Sequence, residues 1–480
     1  MKFYSITSGR SILGAGVPLL ISSLLIPAIV SAATFSWDGV GTPNNLWTTG
    51  TNWVGDAAPA SANTTDIVFT TPATGGLTTG IGVATTVRSI TFTSGVTGDD
   101  NRIRLDNIGG GSNQGRALTF AADSGNASIT VAAGATAPIT LGPTSFGSMT
   151  LGSDLDIVHN GSGTLLFSRS ISGAGRSLTK TGSGTMVLGA AMTYTGTTSV
   201  NGGTLELGAR LASGSSLSIG GGSFDMRGYN QTDNALAAFA ITSGSIFSSN
   251  NDPGVSSTLT AATYSLSGGT VGGGIGPFAL GAGTMTVSGS TTLNAPAAAG
   301  VININSGTLT LGSSGSFTGA TAAIAVASGA SLDAVTPGGF SLVSGQTLGG
   351  AGTIVGDLFF DSGSKIAFST SNTLTISSGT ASFAAGFGID DLVGLDGNTV
   401  AENTYTLLAG TVDPLNLDNV GFANRVSIGG GKEAYFAAGS LQVLVVPEPA
   451  LGGIAACLAA AGLARRLRKG CPSLMGHQQF

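Results

Sequence analysis

The sequence predicts an all-β chain wound as a parallel β-solenoid, a β-helix, with an irregular β cap at its N-terminal end and a single hydrophobic helix at its C-terminal end. Four observations predict it. Gly occurs 79 times in 480 residues and Pro only 15 times. Hydrophobic residues make up 41% of the chain, enough to bury a core. Charged residues make up 9%, against about 25% in ordinary globular domains. Finally, one short phrase, Gly-Thr followed by apolar residues, keeps returning.

That phrase is Gly163-Thr164-Leu165-Leu166-Phe167, then Gly184-Thr185-Met186-Val187-Leu188, then Gly203-Thr204-Leu205-Glu206-Leu207. It returns at Gly283-Thr284-Met285-Thr286-Val287 and Gly307-Thr308-Leu309-Thr310-Leu311, with a weaker copy at Gly352-Thr353-Ile354-Val355. The first three glycines are 21 and 19 residues apart, a spacing that suits one coil of a solenoid. Leu205 and Leu207, like Leu309 and Leu311, alternate with polar residues at the period of a half-buried strand. A strand this short cannot bury its apolar face alone; stacking one coil on the next buries a continuous column. Gly at each corner is expected to supply turns with φ > 0. The scarcity of Pro fits an interior ladder, which needs its backbone donors. Residues 121–445 are read as these repeats.

Residues 34–120 differ. Trp37, Trp47 and Trp53 are all the tryptophans of the chain, and they fall close together. A solenoid needs its first coil covered, because an open stack presents free strand edges. The aromatic cluster is therefore expected to be a small packed core in an irregular β cap; a carbohydrate-stacking platform is the rival reading. Tyr405-Thr406-Leu407-Leu408 and Ser440-Leu441-Gln442-Val443-Leu444 read as closing strands.

The two ends read as addresses. Lys2 and Arg10 precede an apolar run from Ile12 to Val30, and Ser31-Ala32-Ala33 follows with small residues. Residues 1–33 are thus expected to be a signal peptide cleaved after Ala33 or Ala32, with an uncleaved membrane anchor as the alternative. At the other end, Pro447-Glu448-Pro449 precedes an uncharged run over 450–464, which Arg465-Arg466-Leu467-Arg468-Lys469 closes. As a helix that run is about 22 Å long, against about 30 Å of bilayer hydrocarbon. Snorkelling by Arg465 and Arg466 and local thinning cover the difference. The basic cluster would act as a membrane stop and stay cytoplasmic.

Two resemblances follow from these residues. Residues 446–470, with Pro447-Glu448-Pro449, a short hydrophobic helix and Arg465-Arg466 in order, resemble the PEP-CTERM sorting signal. That resemblance implies a Gram-negative exporter whose exosortase-type enzyme processes the signal and delivers the body to the cell surface or extracellular matrix, after at least transient membrane anchoring through the helix. The tail 471–480 runs on beyond the usual end of such signals, and a plain C-terminal membrane helix is the alternative. Separately, Leu178-Thr179-Lys180-Thr181-Gly182-Ser183-Gly184-Thr185-Met186-Val187-Leu188 and Tyr194-Thr195-Gly196-Thr197-Thr198-Ser199-Val200-Asn201-Gly202-Gly203-Thr204-Leu205 resemble the autotransporter-associated β-strand repeat. This implies a parallel β-helix passenger. The last 35 residues hold the sorting signal and its tail, so the strands of a transporter barrel are not expected there.

Charge and chemistry narrow the function. Net charge is −6. Without the basic residues of the two ends and Glu448, 12 basic and 23 acidic residues leave the body at −11, so nucleic acid is not an expected partner. Cys457 and Cys471 both lie in the C-terminal segment, so the body has no disulfide framework and no thiolate metal site. Walker, zinc-protease and nucleophile-elbow motifs are absent. A Ser-His-Asp triad would need His159, which in Asp154-Leu155-Asp156-Ile157-Val158-His159-Asn160-Gly161 reads as a turn residue. Asp99-Asp100 beside Arg102 and Arg104, and Asp390-Asp391 before Asp396-Gly397-Asn398, lack calcium-loop spacing and read as turns, with incidental calcium binding as the alternative. A β-helix polysaccharide lyase or glycosidase would need paired carboxylates on neighbouring coils, and Glu206 reads as standing alone. The expectation is therefore an exported structural or adhesin-like β-repeat protein with no catalysis, no cofactor and no metal, its hydroxyl-rich face touching extracellular polysaccharide. The alternative is a β-helix that binds or degrades polysaccharide enzymatically.

Overall fold

A computed structural model describes residues 32–449, apart from 40–44, 71–76, 99–100, 106–114, 144–146, 253 and 438–440. The expected signal peptide, except its last two residues, and the expected C-terminal helix lie outside the described residues. Among those described, no helix is long and apolar enough to cross a membrane.

The described chain is all-β, in short strands paired almost entirely in parallel with the strand one coil later, a β-helix-like arrangement. Successive strands take up three faces. The first face runs without a break from Ala33–Trp37 and Thr65–Phe69 through Leu155–His159, Leu178–Thr181 and Thr197–Val200 to Lys365–Ala367 and Leu392–Val393. The second runs from Leu77–Gly80 to Thr404–Val412. The third is interrupted, with one four-stranded group from Thr85–Val87 to Ile171–Ser172 and another from Ser257–Leu259 to Ser316–Phe317. It resumes with Phe340–Leu342, Leu358–Phe360 and the end of Leu374–Phe383.

The period-2 alternation decides what goes inside. On the first face the inward column reads Ile67, Ile90, Ile129, Ile157, Lys180, Val200, Ile219, Ile241 and Leu266, each directly beside the next. Fully burying each aliphatic member contributes about 1.5–3 kcal/mol against leaving it in water. Aromatic side chains stack in the same way, Phe69 on Phe92 at 5.1 Å and Phe360 on Phe383 at 4.9 Å. The recurring Gly-Thr phrase marks the second face at Leu165–Phe167, Thr185–Leu188, Thr204–Leu207, Thr308–Leu311 and Thr353–Val355. The copy at Gly283 differs: Thr284–Val287 lies on the first face, between Ala261–Leu266 and Val301–Ile304.

The corner glycines have two reasons for being glycine, where the sequence suggested one. Gly203 sits at φ +58, and a Cβ there would stand 2.4 Å from the Gly184 carbonyl oxygen. Gly184 and Gly163 are not at positive φ. A Cβ at Gly163 would instead lie 2.2 Å from the oxygen of Ala137 on the preceding coil. Close coil-to-coil approach, not backbone handedness, excludes a side chain there.

Both ends of the described stack are closed. Trp37, Trp47 and Trp53 are all buried, with Trp53 set edge-on to the other two at 5.0 and 5.9 Å. The Trp53 Nε1–H donates to the Trp47 carbonyl at 2.9 Å. These rings are a packed core, and their faces are unavailable as a sugar platform. At the other end the direction of pairing changes. Thr404–Val412 takes Leu441–Pro447 antiparallel, and Lys432–Phe436 and Val426–Gly429 continue that meander. Tyr405 and Leu441 thus fall in closing strands, as the sequence suggested.

Candidate functional site

The inside of the stack contains one chemically unusual corner. Lys180 occupies an inward position between Ile157 and Val200 and is fully buried. Its Nζ reaches past the end of the strand and donates to the carbonyls of Gly182 at 3.1 Å and Gly202 at 2.8 Å, so one ammonium ties the corner turns of two successive coils. Burial lowers the Lys180 pKa to about 8. His159 sits inward at the end of Leu155–His159 and is also fully buried. Among the described residues, neither ring nitrogen has a hydrogen-bond partner of good geometry. Burial and then the charge of Lys180 pull its pKa below 6.5, while the backbone of Gly163 and Thr185 opposes that shift. The turn placement expected for His159 is therefore corrected: the strand carries one residue further than the Asn-Gly signal suggested, and parity turns the ring inward. Gly184 packs against it, since a Cβ there would be 2.6 Å from Nδ1.

This corner supplies rigidity rather than a reactive centre. Catalysis by His159 would need a nucleophile within hydrogen-bond reach and an open approach, and its nitrogens face neither. Lys180 was legible in the sequence, because in Leu178-Thr179-Lys180-Thr181 it shares the parity of a buried leucine.

Glu206 does not stand alone. It lies directly beside Asp225 on the next coil. The link was hidden because Ser216–Asp225 bends from the first face to the second through Gly220-Gly221-Gly222, with register shifts that hide the spacing. Both carboxylates have structural partners. Arg227 Nη1 donates to Glu206 Oε2 at 3.0 Å. Asp225 is buried, and its Oδ1 accepts from the backbone N–H of Arg227 and of Ser249, both at 2.9 Å. A glycosidase needs one carboxyl group kept protonated as acid. A guanidinium on one group and two backbone amides on the other engage both carboxylates in structural contacts.

Asp391 and Asp396, from the second acidic patch, serve turns. Asp391 Oδ2 accepts from the Gly388 N–H at 3.0 Å. Asp396 Oδ1 accepts from the Asn398 backbone N–H at 2.9 Å and its Nδ2 at 2.8 Å, and these bonds lower the Asp396 pKa. Asp99 and Asp100 lie outside the described residues. Among the described residues, no three His, Cys, Asp or Glu side chains gather as a metal site.

The outer side of the first face is the extended feature. Ser89, Ser128, Asp156, Thr179, Ser199 and Ser218 stand in one column, one per coil. Adjacent strands set these short polar side chains about 4.8 Å apart. Of the residues expected to act as addresses, Ala33 opens the first strand, its N–H bonded to the Thr64 carbonyl at 3.0 Å. Pro447 ends the strand Leu441–Pro447 opposite Lys432, and the exposed Glu448 accepts a hydrogen bond from the Ser427 hydroxyl. Arg465 and Arg466 lie outside the described residues.

Residues 178–207 match the Passenger-associated-transport-repeat family. They contain Lys180, its two carbonyl acceptors and the strand that bears Glu206. No curated protein and no solved structure matches the chain.

Proposed function

We propose that this chain is an exported β-solenoid with a structural, adhesin-like role at the cell surface or in the extracellular matrix, and that it performs no catalysis. The observation that carries this reading is the unbroken parallel ladder of the first face. Apolar residues fill its inner column on either side of Lys180, and a row of hydroxyls and small side chains, with Asp156 among them, forms its outer one. The match of residues 178–207 to a passenger-associated repeat supports an extracellular setting. In this reading a signal peptide ends at Ala33, and Pro447-Glu448-Pro449 with Arg465 and Arg466 forms a sorting signal read by an exosortase-type enzyme. The 450–464 helix holds the chain in the membrane at least until sorting. The position of Pro447 supports it: the last strand of the meander ends there, and Pro447 and Glu448 are still bonded to that meander, so the signal would begin at the edge of the folded body. Each hydroxyl binds a glycan weakly, and repetition along the ladder adds affinity through effective concentration.

Intact mass and fractionation of the protein from its native host test the sorting part. A species beginning near Thr34, lacking residues beyond Pro449 and recovered from the surface or matrix, is expected. A full-length species retained in the inner membrane would refute it. A glycan array with no signal above background would refute the adhesive part and leave a purely structural spacer.

A further inference from the structure

We propose that the depression beside Phe359 on the third face is a subsite for a neutral pyranose ring of a polysaccharide. The proposal rests on the adhesive reading above and gives it a location. Phe340–Leu342, Leu358–Phe360 and the end of Leu374–Phe383 stack in parallel, which sets Ser341, Phe359 and Ser382 side by side on three coils. Their sequence neighbours Leu342, Leu358, Phe360, Ala381 and Phe383 point inward and are buried, so this row points out. Phe359 is 38% exposed, and among the described residues its ring meets no other ring. Phe422, another exposed aromatic, differs, because the Arg425 guanidinium lies 4.2 Å above its ring. Neither Ser341 nor Ser382 spends its hydroxyl on a protein partner among the described residues.

These residues border a depression of about 190 Å³ lined by Pro337, Gly339, Ser341, Asp357, Phe359 and Ser382. Asp357 is held in place, with its Oδ1 accepting the Thr380 N–H at 2.9 Å and its carbonyl accepting the Phe340 N–H at 2.8 Å. The site thus offers an aromatic face, two hydroxyls about 4.8 Å to either side of it, and a fixed carboxylate acceptor. A pyranose matches this set. Its axial C–H groups suit the negative face of the ring, and its hydroxyls reach the serines and Asp357. The lining has no Lys or Arg, and Asp357 repels anions. One ring between two hydroxyls is too small an apolar area for a second protein.

Affinity electrophoresis of the full chain through gels containing soluble β-glucan or galactomannan tests this, with Phe359→Ala, Phe359→Trp and a Ser341→Ala/Ser382→Ala double variant. Phe359 points outward, so thermal unfolding of these variants should match the parent. Retardation of the parent is expected, weakened about tenfold by Phe359→Ala and retained by Phe359→Trp. Retardation unchanged by Phe359→Ala would overturn the subsite and leave adhesion to the first face standing. No retardation of the parent in either gel would overturn both. Binding found only with a cationic glycan and abolished by salt would identify an electrostatic site at Asp357 and overturn the pyranose reading.

Discussion

Replacing Lys180 with Met tests whether the ammonium is truly inside the stack. The side chain sits in a column of isoleucines and valines, fully buried, with Nζ on two corner carbonyls. Its pKa falls from 10.5 to about 8. In the unfolded chain it keeps its ordinary value, so between those two values the unfolded state binds more protons than the folded one. Stability then rises with pH across that window. Below about pH 8 the folded protein carries the full penalty of a buried cation; above 10.5 the amine is neutral in both states and the penalty is gone. The shift corresponds to about 3 kcal/mol at most. Met cannot titrate, and the coupled His159 titrates below 6.5, so above pH 8 the difference in unfolding free energy between the parent and Lys180→Met reports this group. At pH 7 that difference is the relief of the cation set against two carbonyls losing their donor, each worth about 1–3 kcal/mol. The sign at pH 7 is thus left to experiment, but the slope is not. Urea unfolding at pH 7, 8, 9 and 10 should show the parent gaining on the variant at each step beyond pH 8. Parallel curves would mean that water reaches Nζ, and the account of the corner would be wrong.

Other perturbations have definite directions. Gly203→Ala forces a Cβ into φ +58 and to within 2.4 Å of the Gly184 oxygen, so its unfolding free energy in urea should drop by more than the ~1 kcal/mol of an ordinary glycine replacement. Trp53→Ala removes a fully buried ring and should cost about 3–5 kcal/mol. Because coils contact chiefly their neighbours, its increased hydrogen exchange should concentrate in residues 33–92 and leave those beyond 178 protected. Tyr264 is buried, and its hydroxyl donates to the Leu259 carbonyl and accepts from the Ala261 N–H, both at 3.0 Å; burial raises its pKa to about 12. The folded state therefore holds this proton more tightly than the unfolded one. That contribution is whole below pH 10 and lost as pH rises through 12, so Tyr264→Phe should flatten the alkaline decline.

The sequence carried the strand class and the coil length because both follow from local pattern. Alternation in Leu205-Glu206-Leu207 is visible without neighbours, and Gly163, Gly184 and Gly203 mark equivalent corners at near-constant spacing. The number of faces was not legible, since third-face strands such as Ile171–Ser172 and Pro296–Ala297 are too short to show a period. The same phrase at Gly283 landed on another face because Gly-Thr plus apolar residues describes any strand that follows a tight corner, whichever side of the coil it occupies. The pairing of Glu206 with Asp225 depended on a glycine bend that no spacing rule anticipates. The Phe359 row was equally hidden, since its three members come from coils with different loop lengths and meet only through register.

The treatment of cations inside this fold bears on its function. Lys180 ties the carbonyls of Gly182 and Gly202, and Lys432 in the C-terminal meander ties those of Gly397 and Val400 at 2.9 and 2.8 Å. In both places the ammonium satisfies turn oxygens that a glycine-rich corner leaves without backbone donors. Asp225, Asp391 and Asp396 serve turn N–H groups in the complementary way. These five charged side chains hold corners, while Arg88 with Asp66, Arg210 with Asp233, Arg227 with Glu206 and Arg425 with Glu433 form ion pairs. The outer column of the first face is mostly short and hydroxylated, with Asp156 among its members. It is suited to many weak, geometrically matched contacts along one axis. On the proposed adhesive reading, stability resides in inward parity and recognition in outward parity, so outward substitutions should alter binding while leaving unfolding unchanged. If unfolding of Ser199→Val or Ser218→Val shifted as much as that of an inward Val200→Ala, this separation would fail, and the outer column would have to be counted as part of the core.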